Sequence, residues 1–129
     1  MAMTKPEDVQ LPHRQEKPWG HELWWAFTER YVGKILHVQA GQRLSLQYHH
    51  HKDESCYVLS GRILLVQGES EETITEREIG VGEVWHNYPG LIHTIEALKD
   101  SDVLEVSTPE IDDVVRLQDN YGREGTSHH

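Results

Sequence analysis

The sequence predicts an all-β domain built as a sandwich or a barrel. Turn signals recur about every 8–12 residues and separate short runs rich in β-branched, aromatic and leucine residues. Across 43–51 polar and apolar residues alternate, which is the period of a half-buried strand. Helix signals are confined to one short C-terminal turn, where Asp112 and Asp113 precede an apolar stretch and are suited to cap it.

The individual strands follow from these patterns and from the turn residues between them. Glycines or charged pairs such as Lys52-Asp53 mark the ends of the runs. The ordered part is expected to start at Lys17, after a flexible lead over 1–16, to form one domain over 17–123, and to leave a flexible end over 124–129. The predicted strands are His21–Ala26, Tyr31–Gln39, Arg43–His51, Ser55–Ser60, Ile63–Gln67, Thr73–Ile79, Val84–His86, Ile92–Leu98 and Val103–Ser107.

Size, charge and cysteine content limit the classes of function. A chain of 129 residues supports one core. The formal net charge of −10 argues against a nucleic-acid partner, but it leaves open a small phosphorylated ligand held by a local group of Arg and Lys. No apolar run reaches the roughly 18 residues of a membrane span. The polar N-terminus and the lone Cys56 predict a cytoplasmic location.

Side chains that bind divalent metals recur on the predicted strands. Gln47 and His49 lie two residues apart, so both point to the same face of their strand. Glu54 follows the next turn, and His93 begins a later strand after a Pro-Gly turn. We predict that these four residues bind one ion, although a polar strand face is more often simply solvent-exposed. His51 shares the face of His49 and is an alternative ligand.

The donor set limits the choice of ion. Imidazole and carboxylate ligands without thiolate suit Zn²⁺, Mn²⁺, Fe²⁺ or Ni²⁺.

The spacing of these residues resembles the two motifs of the cupin superfamily. The first motif corresponds to Gly41, five residues, Gln47-x-His49, four residues, Glu54, six residues and Gly61. The second corresponds to Gly82, five residues and Tyr88-Pro89-Gly90-Leu91-Ile92-His93. The resemblance implies a single cupin jelly-roll barrel, with the predicted helical turn near its C-terminus.

The glutamine in place of the first motif histidine narrows the resemblance to phosphomannose isomerases of type II, which bind zinc. In those proteins this cupin is the C-terminal part of a mannose-1-phosphate guanylyltransferase. The similarity extends from Lys17-Pro18-Trp19-Gly20 to Asp119-Asn120-Tyr121-Gly122-Arg123. Lys52 stands near a family arginine and keeps its charge without the bidentate geometry. No phosphate loop of a nucleotidyltransferase is present in this sequence.

The resemblance implies isomerisation of an aldose to a ketose phosphate, with a Zn²⁺ ion held by the four predicted ligands. Such a reaction needs a metal, a group that moves a proton, and a cation for the phosphate. His86 and Lys52 are the candidate catalytic residues. Arg43, Lys52 and Arg116 are the candidate substrate-binding residues, and a sugar or sugar phosphate is the expected ligand.

The sequence leaves two alternative functions open, and it also raises the question of how the chain assembles. The protein could be a non-catalytic cupin that binds a sugar or another metabolite, or a metal-dependent dioxygenase that uses two histidines and one carboxylate. The apolar face formed by Leu44, Leu46 and Tyr48 must be covered by an N-terminal strand, a second sheet or a partner subunit, and we favour a homodimer.

Overall fold

Two six-stranded antiparallel sheets face each other in the computed structural model, which describes residues 5–126. The first sheet has the strand order β1-β2-β3-β10-β5-β8, and the second has the order β12-β11-β4-β9-β6-β7. At every connection from β3 to β6 and from β7 to β11 the chain crosses between the sheets, and the predicted all-β jelly-roll is confirmed. The strands are His13–Lys17 (β1), Gly20–Phe27 (β2), Val32–Val38 (β3), Leu46–Tyr48 (β4), Glu54–Ser60 (β5), Arg62–Gly68 (β6), Thr75–Gly80 (β7), Val84–Asn87 (β8), Ile92–Ala97 (β9), Ser101–Ser107 (β10), Val115–Gln118 (β11) and Gly125–Thr126 (β12).

The main core lies between the two sheets and is built from alternate residues of the strands. Val58 and Val103 of the first sheet and Ile63 and Leu65 of the second are almost completely buried. Burial of each such side chain stabilises the fold by about 1.5–3 kcal/mol. This core occupies one end of the barrel. The charged and polar residues described below occupy the interior towards the other end, where β4, β5 and β9 meet.

The strand that carries two predicted metal ligands is shorter than its sequence pattern suggests. The pattern predicts a strand over Arg43–His51, whereas regular pairing is limited to Leu46–Tyr48, with one isolated bridge between Arg43 and Glu96. Upstream of Leu46 the chain pairs irregularly with β9, and the Thr94 hydroxyl donates to the Leu44 carbonyl at 2.8 Å. Downstream, the chain leaves the sheet after Tyr48 to form the loop that carries His49.

The helical turn predicted after Asp112-Asp113 is wrong. Residues Val115–Gln118 form strand β11, which pairs with β4 and with β12. The physical reason lies in Asp113, because its carboxylate accepts hydrogen bonds from backbone N–H groups of the 50–52 loop instead of capping a helix of its own. The aspartate that would cap a local helix thus accepts hydrogen bonds from a segment that is distant in the sequence.

Helical structure within residues 5–126 is limited to single 3₁₀ turns at Pro6–Asp8 and Glu71–Thr73. Neither turn approaches the length and apolar character that a membrane-crossing helix needs.

The N-terminal boundary was predicted too late. Residues His13–Lys17 form β1, which pairs in register with β2 from His13 opposite Trp24 to Lys17 opposite Gly20. The predicted lead therefore contributes an edge strand to the first sheet, because its polar residues pair through the backbone rather than through an apolar pattern. At the other end, β12 extends into the predicted flexible end, and residues 1–4 and 127–129 lie outside the described residues.

The apolar face expected to need a partner subunit is largely covered by the chain itself. Leu46 packs with Val66 and Ile92 in a second cluster, and Tyr48 lies against that cluster. Leu44 packs instead against the main core. The coverage of this face therefore gives no support to a homodimer, which stays a prediction from sequence.

Gly41 and Gly61 of the first motif lie in turns whose backbone conformation favours glycine. Both have a positive φ, of 82° and 89°, which costs a residue with a Cβ about 1–2 kcal/mol. A Cβ at Gly61 would also lie 2.5 Å from the Asp100 carbonyl oxygen, whereas a Cβ at Gly41 would meet nothing within 4 Å. We expect Gly61→Ala to lower the free energy of unfolding clearly more than Gly41→Ala, as measured by urea denaturation. Equal losses in the two variants would contradict this account.

Candidate functional site

Three of the four predicted metal ligands meet in the interior between the sheets. His49 follows β4, Glu54 begins β5 and His93 lies on β9, and each offers a ligand atom within 4.8 Å of the others. The Glu54 carboxylate lies 3.2 Å from His49 Nε2 and 3.7 Å from His93 Nε2. All three side chains are buried. The arrangement is therefore a compact set of two imidazoles and one carboxylate.

The histidines are held in the tautomer that binds metals. His49 Nδ1 lies 2.5 Å from the Asp113 carbonyl oxygen, and His93 Nδ1 lies 2.9 Å from the Leu91 carbonyl oxygen. A carbonyl accepts only, so each Nδ1 carries a proton, and in the neutral form of each imidazole the lone pair is at Nε2. Within residues 5–126, both buried Nε2 atoms are without a hydrogen-bond partner. Two orphaned acceptors that face one carboxylate fit a divalent cation.

Charge at the site also suits a cation. Burial raises the pKa of Glu54, but the charge of Lys52 is the largest opposing effect, and the pKa lies well below its usual range, so the group is a carboxylate. Burial lowers the pKa of His93 to about 4 against the opposing effect of Glu54, so this imidazole is neutral near pH 7. Asn87 Nδ2 donates to Glu54 Oε2 at 3.0 Å and orients the carboxylate. Neutral imidazoles and an ionised carboxylate are the protonation states that metal binding requires.

The fourth predicted ligand, Gln47, lies beside this set. It is paired with His93 across β4 and β9, and it lines the same cavity as His49. Its Oε1 accepts a hydrogen bond from the Ser45 hydroxyl at 2.6 Å. Its role as a ligand stays a prediction. The alternative ligand His51 is exposed to solvent and lies outside the set, because the chain leaves the strand after Tyr48.

A cavity whose lining includes five cationic side chains opens next to His49. Its volume is about 60 Å³. Its wall is formed by residues from both sheets and from the segment before β11. The charged members of this wall, hereafter the cationic wall, are Lys17, Lys34, Lys52, Arg116, Arg123 and a single carboxylate, Glu22.

Lys52 is the cation closest to the metal ligands. Its Nζ lies 3.4 Å from Glu54 Oε1 and 3.5 Å from Glu105 Oε2. Burial lowers the pKa of Lys52, but Glu105 and Glu54 outweigh burial and raise it above its ordinary value. The side chain is therefore a fixed ammonium at neutral pH. In this state it acts as a positive charge and does not act as a general base.

Glu22 and Lys34 form a buried ion pair in the opposite part of the wall. Lys34 Nζ lies 3.1 Å from Glu22 Oε1, which also accepts a hydrogen bond from Trp24 Nε1 at 2.9 Å. Burial raises the pKa of Glu22, but Lys34 and Lys17 outweigh it and hold the pKa at about 2. The one carboxylate of the wall is thus already satisfied by a neighbouring cation.

Arg116 is the wall residue with unused hydrogen-bonding capacity. It lies on β11 opposite Gln47 of β4 and is 7% exposed. Its Nε and Nη1 atoms have no hydrogen-bond partner among the residues that the structure describes. Burial and the nearby Arg123 lower the pKa of its guanidinium. Buried donors left unpaired are costly, which indicates a site prepared for an anionic ligand.

The structure brings Lys52 and Arg116 to the cavity but not the other two sequence candidates. Arg43 forms an ion pair with Glu96 at 3.5 Å and does not line the cavity. His86 is exposed on the outer face of β8, where its Nε2 lies 2.5 Å from Asp53 Oδ1. We therefore withdraw Arg43 and His86 from the site. The alternation of β8 explains the error, because its inward positions are Trp85 and Asn87.

Sequence reasoning missed several charged residues that the fold turns inward. They are Lys17, Glu22, Lys34 and Glu105, and Glu105 lies on β10 directly opposite Cys56. Burial raises the pKa of Glu105, and Lys52 offsets this only in part. One signal was available, because Glu105 occupies the same strand face as the apolar Val103. A charge at an inward position marks a functional or strained site.

Removal of the carboxylate tests the ligand set. Glu54→Ala should weaken Zn²⁺ binding by more than about 100-fold, since the only charged ligand is lost. Gln47→Ala should have a smaller effect, because a neutral amide contributes less charge. Metal content and competition with a chelator measure both. Glu78→Ala, which removes a surface partner of Arg62, is the matched control. Retention of stoichiometric metal in Glu54→Ala would show the ligand set to be wrong.

The depressed pKa of His93 predicts how stability depends on pH. The unfolded chain binds a proton at this imidazole below about pH 6.5, and the native state does so only below about pH 4. The metal-free protein should therefore lose stability as the pH falls through this window, by up to about 3 kcal/mol from this group. Denaturant unfolding in the presence of a chelator measures the loss. His93→Gln should show a shallower slope, and an unchanged slope would contradict the assignment.

Comparison with proteins of known structure agrees with the fold. The chain resembles oxalate decarboxylase from Bacillus subtilis with a TM-score of 0.71 and 16% identity, over 83% of this chain and 30% of that one. It resembles KdgF from Halomonas sp. with a TM-score of 0.65 and 19% identity, over 87% of this chain and 96% of that one. At these identities the likeness shows the cupin fold alone.

Sequence comparison shows the family. The chain is 35% identical over 120 residues to mannose-1-phosphate guanylyltransferase ManC of Salmonella typhimurium, and 34% identical over 114 residues to xanthan biosynthesis protein XanB of Xanthomonas campestris. These matches cover 86% and 83% of this chain but 23% of each relative, so the chain spans about a quarter of their length. Residues 5–119 match the family described as mannose-6-phosphate isomerase C-terminal, and the chain belongs to that family.

Proposed function

We propose that the protein is a metal-dependent isomerase of a phosphorylated sugar. The observation on which this depends is the position of a divalent-metal ligand set beside a cavity lined by five cationic side chains. Mannose 1-phosphate is part of the name of several relatives, the mannose-1-phosphate guanylyltransferases, and it belongs to the same class of ligand. Mannose 6-phosphate is the substrate that follows from the family description.

The buried guanidinium is the proposed phosphate ligand. Arg116 offers unpaired donors in planar geometry, and a phosphate accepts two parallel N–H bonds from such a group. Lys17 lines the same cavity and adds positive charge, whereas Arg123, which also lines it, is paired with Asp119 at 2.7 Å. A phosphate bound here would satisfy donors that are otherwise buried and unpaired. It would also orient the rest of the sugar towards His49.

The reacting end of the sugar would lie beside the metal ligands. A divalent ion held by His49, Glu54, His93 and Gln47 would polarise the sugar oxygens at C1 and C2 and stabilise negative charge that develops there. Lys52 remains protonated and adds a second positive charge within 3.4 Å of Glu54. We propose zinc as the ion, a cytoplasmic location and a homodimer on the sequence evidence given above.

A non-catalytic binding role is the second candidate, and a specific observation favours it. His86 faces away from the cavity, and Lys52 is held in its protonated form. Neither sequence candidate is therefore available as a base near neutral pH. A protein that binds a sugar phosphate without turnover would need the same cavity but no base. The dioxygenase alternative uses the same two histidines and carboxylate, yet nothing in the cationic wall favours an oxygenase substrate over a phosphate.

Direct assays separate the two candidates. The metal-loaded protein should convert mannose 6-phosphate to the ketose phosphate, detected by a coupled assay. Calorimetry with the same compound measures binding independently. Binding without turnover would favour the non-catalytic role, and absence of both would exclude a phosphosugar site. Oxygen consumption by the Fe²⁺-loaded protein would favour the dioxygenase.

Arg116 provides a sharper test, because its two expected effects have opposite signs. Arg116→Leu should lower kcat/KM, or the affinity for the sugar phosphate, by about 10–100-fold through loss of charged hydrogen bonds. The same change should raise the stability of the ligand-free protein by about 1–3 kcal/mol, since an unpaired buried charge is removed. Kinetics, calorimetry and denaturant unfolding measure both effects.

Arg43→Leu is the matched control for Arg116→Leu. It breaks a partly exposed ion pair with Glu96 outside the cavity and should leave ligand affinity unchanged. A loss of affinity in Arg43→Leu that equals the loss in Arg116→Leu would contradict the assignment of the phosphate site.

A further inference from the structure

Asp113 contacts the metal-binding loop through both its side chain and its backbone. Its carboxylate accepts hydrogen bonds from three successive backbone N–H groups, at 3.0 Å from His50, 2.7 Å from His51 and 3.0 Å from Lys52. Its backbone carbonyl oxygen lies 2.5 Å from His49 Nδ1. One residue therefore contacts every position from 49 to 52. The next ligand, Glu54, follows two residues later.

We infer that Asp113 is a positioning residue for the metal centre, a role that rests on the metal-dependent function proposed above. Residues 49–53 lie between β4 and β5, so strand pairing does not fix their conformation. Convergent N–H groups form a concave anion site, and an aspartate carboxylate fills it. The loop is thereby held in the conformation that presents His49, Lys52 and Glu54 to the interior.

The contact between the Asp113 carbonyl and His49 also orients a predicted metal ligand. A carbonyl acceptor at Nδ1 fixes the ring orientation and directs the lone pair of Nε2 towards Glu54 and His93. Loss of such an outer contact typically weakens metal binding by about 10–100-fold. Because the carbonyl belongs to the backbone, its position depends on the carboxylate that anchors the same residue to the loop.

Asp113 also links the metal loop to the proposed phosphate ligand. It lies two residues before β11, which carries Arg116 into the cavity beside Gln47. The segment before β11 contributes Ile111 and Val114 to the cavity wall. One anchor thus sets the metal loop and the anion-binding strand relative to each other.

The test compares cobalt binding by the full-length wild type and the variants Asp113→Asn and Asp113→Ala. Asp100→Asn is the matched control, because Asp100 also caps a loop N–H, that of Ala40, but in the turn after β9, at the end away from His93. Affinity for Co²⁺ alone is measured by competition with a chelator. The visible absorption of the saturated protein reports the coordination geometry, and denaturant unfolding reports the stability of each metal-free form.

The expected result is about 10–100-fold weaker Co²⁺ binding by Asp113→Ala, a smaller loss in Asp113→Asn, and altered visible bands in both. Asp100→Asn should lose stability yet keep wild-type affinity and bands. Folded Asp113 variants with wild-type affinity and bands would overturn the inference. If Asp113→Ala does not fold, Asp113→Asn decides. Absence of Co²⁺ binding by the wild type would overturn both this inference and the proposed metal-dependent function.

Discussion

The buried negative charge of Glu54 is the constraint on which the organisation of the interior depends. A carboxylate removed from water is strongly unfavourable unless cations or hydrogen-bond donors surround it. Lys52 and Asn87 meet part of this need, and the buried Nε2 atoms of His49 and His93 face the same carboxylate. A divalent cation between these groups would satisfy the remaining demand, which makes this arrangement a candidate metal site.

Charge is distributed in opposite senses on the surface and in the cavity. The whole chain has a formal net charge of −10, yet the cationic wall sets five basic side chains against Glu22. Glu22 is paired with Lys34, Lys52 with Glu54 and Glu105, and Arg123 with Asp119, whereas Arg116 keeps donors without a partner among the described residues. A low-dielectric cavity concentrates such a field, whereas the acidic exterior disfavours polyanions. This separation explains how an acidic protein would select a small phosphorylated ligand and reject nucleic acid.

The success and failure of individual sequence predictions follow from how local each signal is. Gln47, His49, Glu54 and His93 could be selected because motif spacing fixes their place on adjacent strands, and three of them meet in the structure. The helix expected after Asp113 fails because the carboxylate serves the distant 50–52 loop. His86 was misassigned because its proximity to the second motif in sequence outweighed the alternation of β8, which turns it outward. Arg43 was misassigned to the substrate site for a similar reason, because it pairs with Glu96 of a neighbouring strand.

The sequence alone determined the strand pattern, the all-β class and the ligand types, because side-chain alternation and turn residues act over a few positions along the chain. Only the tertiary structure decided which charges face the interior. Lys17, Glu22 and Lys34 come from the first three strands, while Arg116 comes from β11, near the end of the chain. Whether each of these charges is paired or can bind a ligand depends on the neighbours that the packing of two sheets brings to it. The sign and strength of an electrostatic site are properties of such distant neighbours, and no short stretch of sequence contains them.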